Sequence, residues 1–184
     1  MNENDLRVRR TKKMLIDALG NLLEKHTYTS ISVNMICDTA MVHRTTFYKH
    51  FYDKYDLLSQ WVHQIAGEYE KIPFERRVKS PFQSLSLVFL KKLEEIDRKQ
   101  EEDQQFREIV INDFVKLFKE DLEKNIDKIE YEQSIPESLV FFMFSSSILS
   151  IIAWAKHESI DLQPEELDAL FLKINQIKLK DLKS

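Results

Sequence analysis

Hydrogen-bond donors crowd a short stretch of the sequence between Arg44 and Phe51. Within it, Phe47 and Phe51 are four residues apart, so in a helix their rings share one face and can anchor that helix to a core. So short a helix buries little apolar area, and we therefore expect its polar face to contact a partner. The side-chain donors are Arg44, Thr45, Thr46, Tyr48, Lys49 and His50.

Two short helices must position these donors. Ser32 is well placed to cap a helix over Val33, Ile36, Cys37 and Ala40. Residues 41–43 then form a tight link, and a second helix spans residues 44–50. These are the dimensions of a helix-turn-helix, whose second helix enters the major groove of DNA. Spacing alone leaves another interpretation open, a solvated helix face on an ordinary helical bundle.

Longer helices flank this motif on both sides. From Leu6 to Leu23 apolar residues recur at steps of three and four, which predicts a first amphipathic helix. Asp53 is expected to cap a fourth helix, whose apolar stripe runs from Leu57 to Tyr69. The donor-rich stretch is therefore expected to lie within a small helical domain.

The stretch from Ile31 to Leu58 resembles the DNA-binding signature of the TetR family of bacterial transcriptional regulators. The strongest element is Thr-Phe-Tyr-Lys-His-Phe at residues 46–51, followed by Asp53-Lys54 and by Leu57-Leu58 at the start of the next helix. The resemblance implies a homodimer that binds an inverted-repeat operator in double-stranded DNA.

The resemblance also implies roles for single residues. Phe47 and Phe51 would pack in the core, while Tyr48 and Lys54 would contact phosphates. Thr11 is expected to be a phosphate ligand on the first helix, behind a basic arm that resembles the leader of the family. The residues implied in the groove or along its walls are Asn34, Arg44, Thr45, Thr46 and Lys49.

Two positions depart from the family pattern. Position 41 is usually glycine, which adopts a positive φ freely, so Met41 should cost roughly 1 kcal/mol there. Position 43 is commonly Ser or Thr, and His43 should be a poorer cap for the recognition helix by about 1 kcal/mol. The His43 imidazole could instead reach a phosphate, although simple exposure to solvent is the other interpretation.

Composition limits the class of protein. The chain has 184 residues with 2 Gly and 4 Pro, too few turn residues for a parallel-sheet nucleotide fold or an all-β sandwich. We therefore predict an all-α fold. The single cysteine cannot form an internal disulfide and no signal peptide stands out, which indicates a cytoplasmic protein. Ser145, Ser146, Ser147 and Ser150 interrupt the most apolar stretch, and we expect no membrane span.

Charge is divided unevenly along the chain. The net charge is −4, yet residues 1–54 carry nine Lys and Arg against six Asp and Glu. The remainder is therefore acidic, and any polyanion should meet the N-terminal part alone. No catalytic triad, metal-spaced histidine pair or glycine-rich phosphate loop stands out. We accordingly predict no enzyme activity, no cofactor and no metal.

A domain boundary is expected at residues 73–80, where Pro73 and Pro81 bracket a short basic loop with Arg76, Arg77 and Lys79. Residues 1–70 would form the helix-turn-helix domain. Residues 71–184 would form a helical domain for effector binding and dimerisation. Pro136 and Pro164 should open the last two helices.

The last two helices weakly resemble a TetR-like C-terminal domain from Gram-positive bacteria, in which they pack against a second subunit. Serines 145–147 would allow close helix approach in such a seam; a polar ligand pocket and a plain core with back-bonded hydroxyls are the alternatives. The dimer contacts expected from the resemblance are Phe142, Ser145, Ser146, Leu149, Ile152, Leu167, Leu170, Phe171 and Ile174.

Aromatic residues of the C-terminal part could line an apolar cavity for an unknown small-molecule effector, although ordinary core packing explains such stripes more often. They are Phe82, Phe89, Phe106, Phe114, Phe118, Tyr131, Phe141, Phe142, Phe144 and Trp154. The function expected overall is a sequence-specific regulator, with repression relieved by an effector as the usual mode of the family. The alternative is a helical interaction module or coactivator that has lost operator binding.

Overall fold

A computed structural model describes residues 6–89, 93–175 and 178–180. The described chain is helical, which confirms the predicted all-α class. A two-residue antiparallel ladder, Ile129–Glu130 with Lys178–Leu179, was not predicted. The α-helices are α1 Leu6–Leu23, α2 Val33–Ala40, α3 Arg44–Phe47, α4 Lys54–Tyr69, α5 Phe74–Lys79, α6 Pro81–Phe89, α7 Leu93–Lys99, α8 Gln104–Lys124, α9 Glu137–His157 and α10 Pro164–Ile174; short 3-10 helices occupy Tyr28–Ser30 and Ile126–Lys128.

The chain divides into two compact units. The first is drawn from residues 1–65 and 91–113, and the second from residues 66–90 and 114–184. The predicted domain boundary near residue 70 divides the chain once in sequence order, and it stays a prediction. The first unit gathers the helix-turn-helix together with α7 and the start of α8.

The core of the first unit forms because α1 to α4 each bury one apolar face. α1 contributes Leu15, Leu19 and Leu23, which recur at the helical spacing and are fully buried. The predicted caps are confirmed: the Ser32 hydroxyl accepts from the Met35 N–H, and Asp53 accepts from the N–H groups of Tyr55 and Asp56. Further core side chains are Tyr28, Ile31, Ile36, Phe47, Phe51, Leu57, Leu58 and Val62.

The core of the second unit is aromatic. Phe82, Phe141, Phe144 and Phe171 pack in one cluster, with edge-to-face contacts between Phe171 and both Phe82 and Phe144. Pro136 and Pro164 open α9 and α10 as predicted. The carboxylate of Asp168, on α10, accepts from the N–H of Phe82 and so fastens the start of α6.

The predicted basic loop at residues 73–80 is wrong, because residues 74–79 form helix α5. Arg77 is buried and forms a bidentate ion pair with Asp121, at 2.6 and 2.8 Å. The same guanidinium also donates to the carbonyl of Glu70. Sequence position between two prolines suggested a solvated basic segment, but this pairing allows the arginine to be buried.

Within the described chain, α9 is long and apolar enough to span a membrane by length and composition alone. A third of its most apolar window is buried inside the second unit. Its inward face carries Phe141, Phe144, Ile148 and Ile151, which belong to the aromatic core. Helices that form the core of a soluble protein pass the same test, so the test does not indicate a membrane protein.

Candidate nucleic-acid interface

The turn between α2 and α3 sets the geometry of the candidate site. Met41 ends α2 in the left-handed region, with φ 53° and ψ 42°, as the usual glycine at this position predicts. Its N–H bonds the carbonyls of Cys37 and Asp38, which closes the helix end. The side chain is 87% exposed. The turn therefore forms with methionine in place of glycine. The free-energy cost of this replacement is backbone strain at position 41.

The recognition segment, residues 44–50, is shorter as an α-helix than predicted. α3 ends at Phe47, and residues 48–50 continue as turns in which the N–H of Lys49 and His50 bond the carbonyls of Thr46 and Phe47. The Phe51 N–H also bonds the carbonyl of Phe47. The two rings are buried with their centres 5.8 Å apart. This confirms their predicted anchoring role, although a four-residue helix replaces the expected seven-residue one.

The polar side of this segment faces solvent. Arg44, Thr45, Tyr48 and Lys49 are exposed and Thr46 is half-buried. An Arg44 guanidinium N–H donates to the Tyr48 hydroxyl at 3.3 Å, and the guanidinium carbon lies 5.5 Å from the ring centre. This contact orders two long side chains on the surface that would meet a partner.

The two histidines of the segment differ. His43 precedes α3 and makes no capping hydrogen bond to the described chain, as predicted. Its Nδ1 lies 3.2 Å from the hydroxyl of Thr45. His50 is half-buried, and its Nδ1 has no hydrogen-bond partner among the described residues. Burial, and then the positive charges of Lys12 and Lys49, lower the pKa of His50, so its ring is neutral near pH 7.

Other predicted contact residues lie on α1 and α2. Asn34 is exposed on the first turn of α2. The hydroxyl of Thr11 donates to the carbonyl of Arg7 at 2.9 Å and remains half-exposed. Arg9 and Arg10 are exposed near the start of α1. All four side chains are therefore accessible to solvent.

The structure gives Lys54 a role different from the phosphate contact implied by the resemblance. Its ammonium donates to the carbonyls of Tyr28 and Ile31, both at 3.0 Å, and lies 3.4 Å from that of Thr29. It also stands 4.4 Å from the centre of the Tyr28 ring. An ammonium has three N–H donors, and these carbonyls use them. We therefore remove Lys54 from the expected DNA contacts.

Sequence reasoning missed two residues that support this site. Gln100 and Asp103 are buried at the junction of α7 and α8, and both bond the 3-10 turn that precedes α2. The acidic residues 101–103 resemble an ordinary solvated link. No periodicity relates them to residues more than seventy positions earlier, so only the fold could show the contact.

The structure exposes part of the predicted dimer face and buries two of its residues. Phe142, Ile152 and Ile174 are exposed. Ser145, however, is fully buried and its hydroxyl donates to the carbonyl of Phe141, while Phe171 lies in the core. Neither can face a second subunit in this structure. The other predicted residues, Ser146, Leu149, Leu167 and Leu170, are half-buried.

The aromatic residues expected to line an effector cavity are mostly packed in the structure. A cleft beside Tyr69, Phe114 and Phe118 has a volume of about 10 Å³, which is room for about one water molecule. Most of the expected lining, including Phe82 and Phe141, packs in cores instead, and the Phe89 side chain lies outside the described residues. No group of acidic, histidine or cysteine residues within the described ranges could hold a metal.

Comparison with known proteins places this geometry in a recognised fold. No protein-family model and no curated protein matches the sequence. Among solved structures, a TetR transcriptional regulator from Streptococcus agalactiae is 20% identical with a TM-score of 0.60, covering 92% of this chain and 96% of that one. The dihydroxyacetone kinase operon activator DhaS is also 20% identical, with a TM-score of 0.56 and coverage of 89% and 93%.

The flavonoid-responsive regulator FrrA is 14% identical, with a TM-score of 0.55 and coverage of 90% of this chain and 97% of that one. These likenesses extend over nearly the whole length of each chain. They show that this chain has the fold of TetR-type regulators.

Proposed function

We propose that this chain is a TetR-family, sequence-specific DNA-binding regulator of transcription. The observation that carries the proposal is the exposed polar surface of residues 44–49, held on a helix-turn-helix by the buried rings of Phe47 and Phe51. Arg, Thr and Lys side chains on such a segment suit the donor and acceptor pattern of the major groove. The likeness to TetR-type structures supports the same function.

Charge supports DNA as the partner of the first unit. The basic residues of residues 1–54 outnumber the acidic ones, whereas the rest of the chain is acidic. Exposed Arg9 and Arg10 on α1 can neutralise phosphates. We propose Tyr48, His50, His43 and Thr11 as further backbone contacts. Arg44, Thr45, Thr46, Lys49 and Asn34 are proposed to read or approach the bases.

We further propose a homodimer that binds an inverted repeat. The outward face of α9 carries Leu139, Phe142 and Met143, which are 47%, 53% and 56% exposed. Large apolar side chains clustered on one helix face are typical of an interface. Two-fold symmetry would place the two recognition segments about 34 to 36 Å apart, one turn of DNA.

Regulation is proposed to be repression that a small-molecule effector relieves. One structural neighbour is named as flavonoid-responsive, which supports control by a small molecule, and another is named as an operon activator. Because the phenylalanine side chains of the second-unit core are packed together, an effector that binds there would open its own site. Binding that favours an altered arrangement of the two recognition segments would release DNA.

A salt titration on random-sequence duplex DNA tests DNA binding without knowledge of the operator. We expect the logarithm of the binding constant to fall linearly with the logarithm of salt concentration. Replacing Arg9 and Arg10 by Gln should reduce the slope by about 0.9 for each phosphate that these side chains neutralise. Replacing Lys156 and Lys173, which lie in the second unit, by Gln is the matched control. Absence of binding at low salt would favour the interaction-module alternative.

A further inference from the structure

The segment between α1 and α2 is held by two side chains from a distant part of the sequence. The N–H of Tyr28 donates to Gln100 Oε1 at 2.8 Å, and Gln100 Nε2 donates to the carbonyls of Leu23 and His26, both at 2.7 Å. One amide group thus bonds the end of α1 and the start of the 3-10 turn together. Because its partners are an N–H on one side and carbonyls on the other, the orientation of the amide is fixed.

Asp103 fastens the next residue of the same turn. Its Oδ2 accepts from the N–H of Thr29 at 2.7 Å and from the Thr29 hydroxyl at 2.9 Å. Its Oδ1 accepts from the N–H of Phe106 at 3.0 Å and so caps α8. Burial raises the pKa of this carboxyl, but bonds from Thr29 and Phe106 and the charge of Lys54 outweigh it and hold the pKa below its usual value. The group is therefore ionised near neutral pH.

The two side chains belong to one rigid turn. The Asp103 N–H donates to the carbonyl of Gln100 at 3.0 Å, and both residues are nearly inaccessible, at 4% and 1% exposure. All but one of the groups they bond are main-chain groups. Buried polar groups of this kind are costly to leave unpaired, so the turn and the segment before α2 must keep one relative arrangement.

This segment leads into α2. Within the turn, the Thr27 hydroxyl donates to the Ser30 hydroxyl at 3.1 Å, and the Ser30 hydroxyl donates to the Thr27 carbonyl at 2.7 Å. These local bonds close the turn but do not fasten it to another element. Ser32, which caps α2, follows the turn after Ile31. Lys54 bonds the carbonyls of Tyr28 and Ile31, so the segment is also fastened to α4.

We infer that Gln100 and Asp103 are positioning residues of the helix-turn-helix, which hold the segment between α1 and α2 so that α2 and α3 present the DNA-contact surface. The inference rests on the proposed function for its consequence in DNA binding. It assigns part of the DNA-binding machinery to residues well beyond the N-terminal seventy. α8, which Asp103 caps, continues to Lys124 in the second unit.

Gln100→Met tests the inference, because it keeps the side-chain length and removes all three hydrogen bonds. Gln104→Met is the matched control, since Gln104 is exposed and bonds only the nearby Glu108 in the described chain. Amide hydrogen exchange at Tyr28 and Thr29 should accelerate by about tenfold or more in Gln100→Met. Exchange at Leu19 in α1 and at Ile148 in α9 should stay unchanged.

DNA binding gives the second readout. The affinity of Gln100→Met for DNA selected by the unchanged protein should fall by about tenfold, whereas Gln104→Met should stay within about twofold. Asp103→Asn keeps the shape and part of the bonding, and should show the same local pattern more weakly. If Gln100→Met does not fold, Asp103→Asn still tests the inference.

Several results would overturn the inference. Equal acceleration at Leu19, Ile148 and Tyr28 would show a general loss of stability instead of a positioning role. Unchanged exchange at Tyr28, or local opening with unchanged DNA affinity, would contradict it as well. If the unchanged protein binds no DNA, the proposed function fails, and with it the consequence for DNA; the exchange data still decide whether Gln100 holds the turn.

Discussion

The ammonium of Lys54 donates to the carbonyl of Tyr28 at 3.0 Å and stands 4.4 Å from the centre of the same residue's ring. The Lys54 ammonium thus bonds a main-chain carbonyl of the turn and also contacts the face of the Tyr28 ring. Burial lowers the pKa of Lys54, while the charge of Asp103 opposes that shift. This arrangement joins α4 to the turn before α2.

Lys54→Met should therefore destabilise the first unit. The variant keeps the aliphatic stem but removes three charge-assisted hydrogen bonds and the cation–π interaction, and we expect the free energy of unfolding to fall by about 2 kcal/mol. Trp61 lies in the first unit and Trp154 in the second, so urea unfolding followed by Trp61 fluorescence in a Trp154→Phe background reports this unit. Lys25→Met, at an exposed lysine, is the control. Equal stabilities of the two variants would contradict the assigned role.

Met41 carries a backbone cost that glycine would remove. Met41→Gly and Met41→Ala both delete an exposed side chain, but only glycine adopts φ 53° without a Cβ penalty. We expect Met41→Gly to be more stable than Met41→Ala by about 1 kcal/mol, reduced somewhat by the entropy of glycine in the unfolded chain. The same Trp61 unfolding assay measures it. An alanine variant as stable as the glycine variant would show that the turn is unstrained.

Much of the helix-turn-helix could be predicted because its signals are local. Ser32 and Asp53 cap helices within three residues of themselves, and Phe47 and Phe51 pair along one helical turn. Met41 stands out in the sequence because glycine is usual at its position in the family pattern. Local chemistry of this kind is visible in sequence order.

The remaining errors concern contacts between distant residues. The sequence predicts a basic loop around Arg77 because it does not show the partner Asp121, which is 44 residues away. The resemblance implies a phosphate contact for Lys54, whose carbonyl partners carry no side-chain signal. The resemblance also places Ser145 and Phe171 in a dimer seam, but it does not show which elements of the same chain cover them.

His50 should make DNA binding depend on pH. Its pKa is lowered in the free protein, and a phosphate near Lys12, Lys49 and His50 would raise it in the complex. Binding therefore takes up a proton, and affinity should increase as pH falls from about 7.5 to about 6. Affinity measurements across this range check it, with His50→Gln expected to flatten the profile. His157→Gln, at an exposed histidine of the second unit, is the control, and an unchanged slope in His50→Gln would contradict the assignment.

Phe142→Glu should convert the proposed dimer to monomers, because a carboxylate would be buried in an apolar seam. Leu87→Glu is the matched control, since Leu87 is also an exposed apolar residue of the second unit but lies outside the proposed seam. Sedimentation equilibrium measures the mass of both variants. A dimeric Phe142→Glu protein, or a monomeric unchanged protein, would contradict the proposed α9 interface.

Substitutions in the recognition segment can distinguish a residue that reads bases from one that contacts phosphates. Tyr48→Phe removes one hydroxyl, including its bond from Arg44, and should weaken binding to all sequences by a similar factor. Lys49→Ala should change the preference among bases at one position of each half-site. Affinities for a panel of single-base variants distinguish the two. An equal loss on all sequences for Lys49→Ala would remove it from the base-reading set.

The central claim is that the surface of residues 44–49 reads a DNA sequence. Selection of bound duplexes from a random pool by the purified protein, at two salt concentrations, tests it most directly. We predict enrichment of an inverted repeat with half-sites about one helical turn apart, which competes about a thousandfold or more better than random DNA. Failure to enrich any sequence at either salt concentration, with the protein folded and dimeric, would contradict the claim.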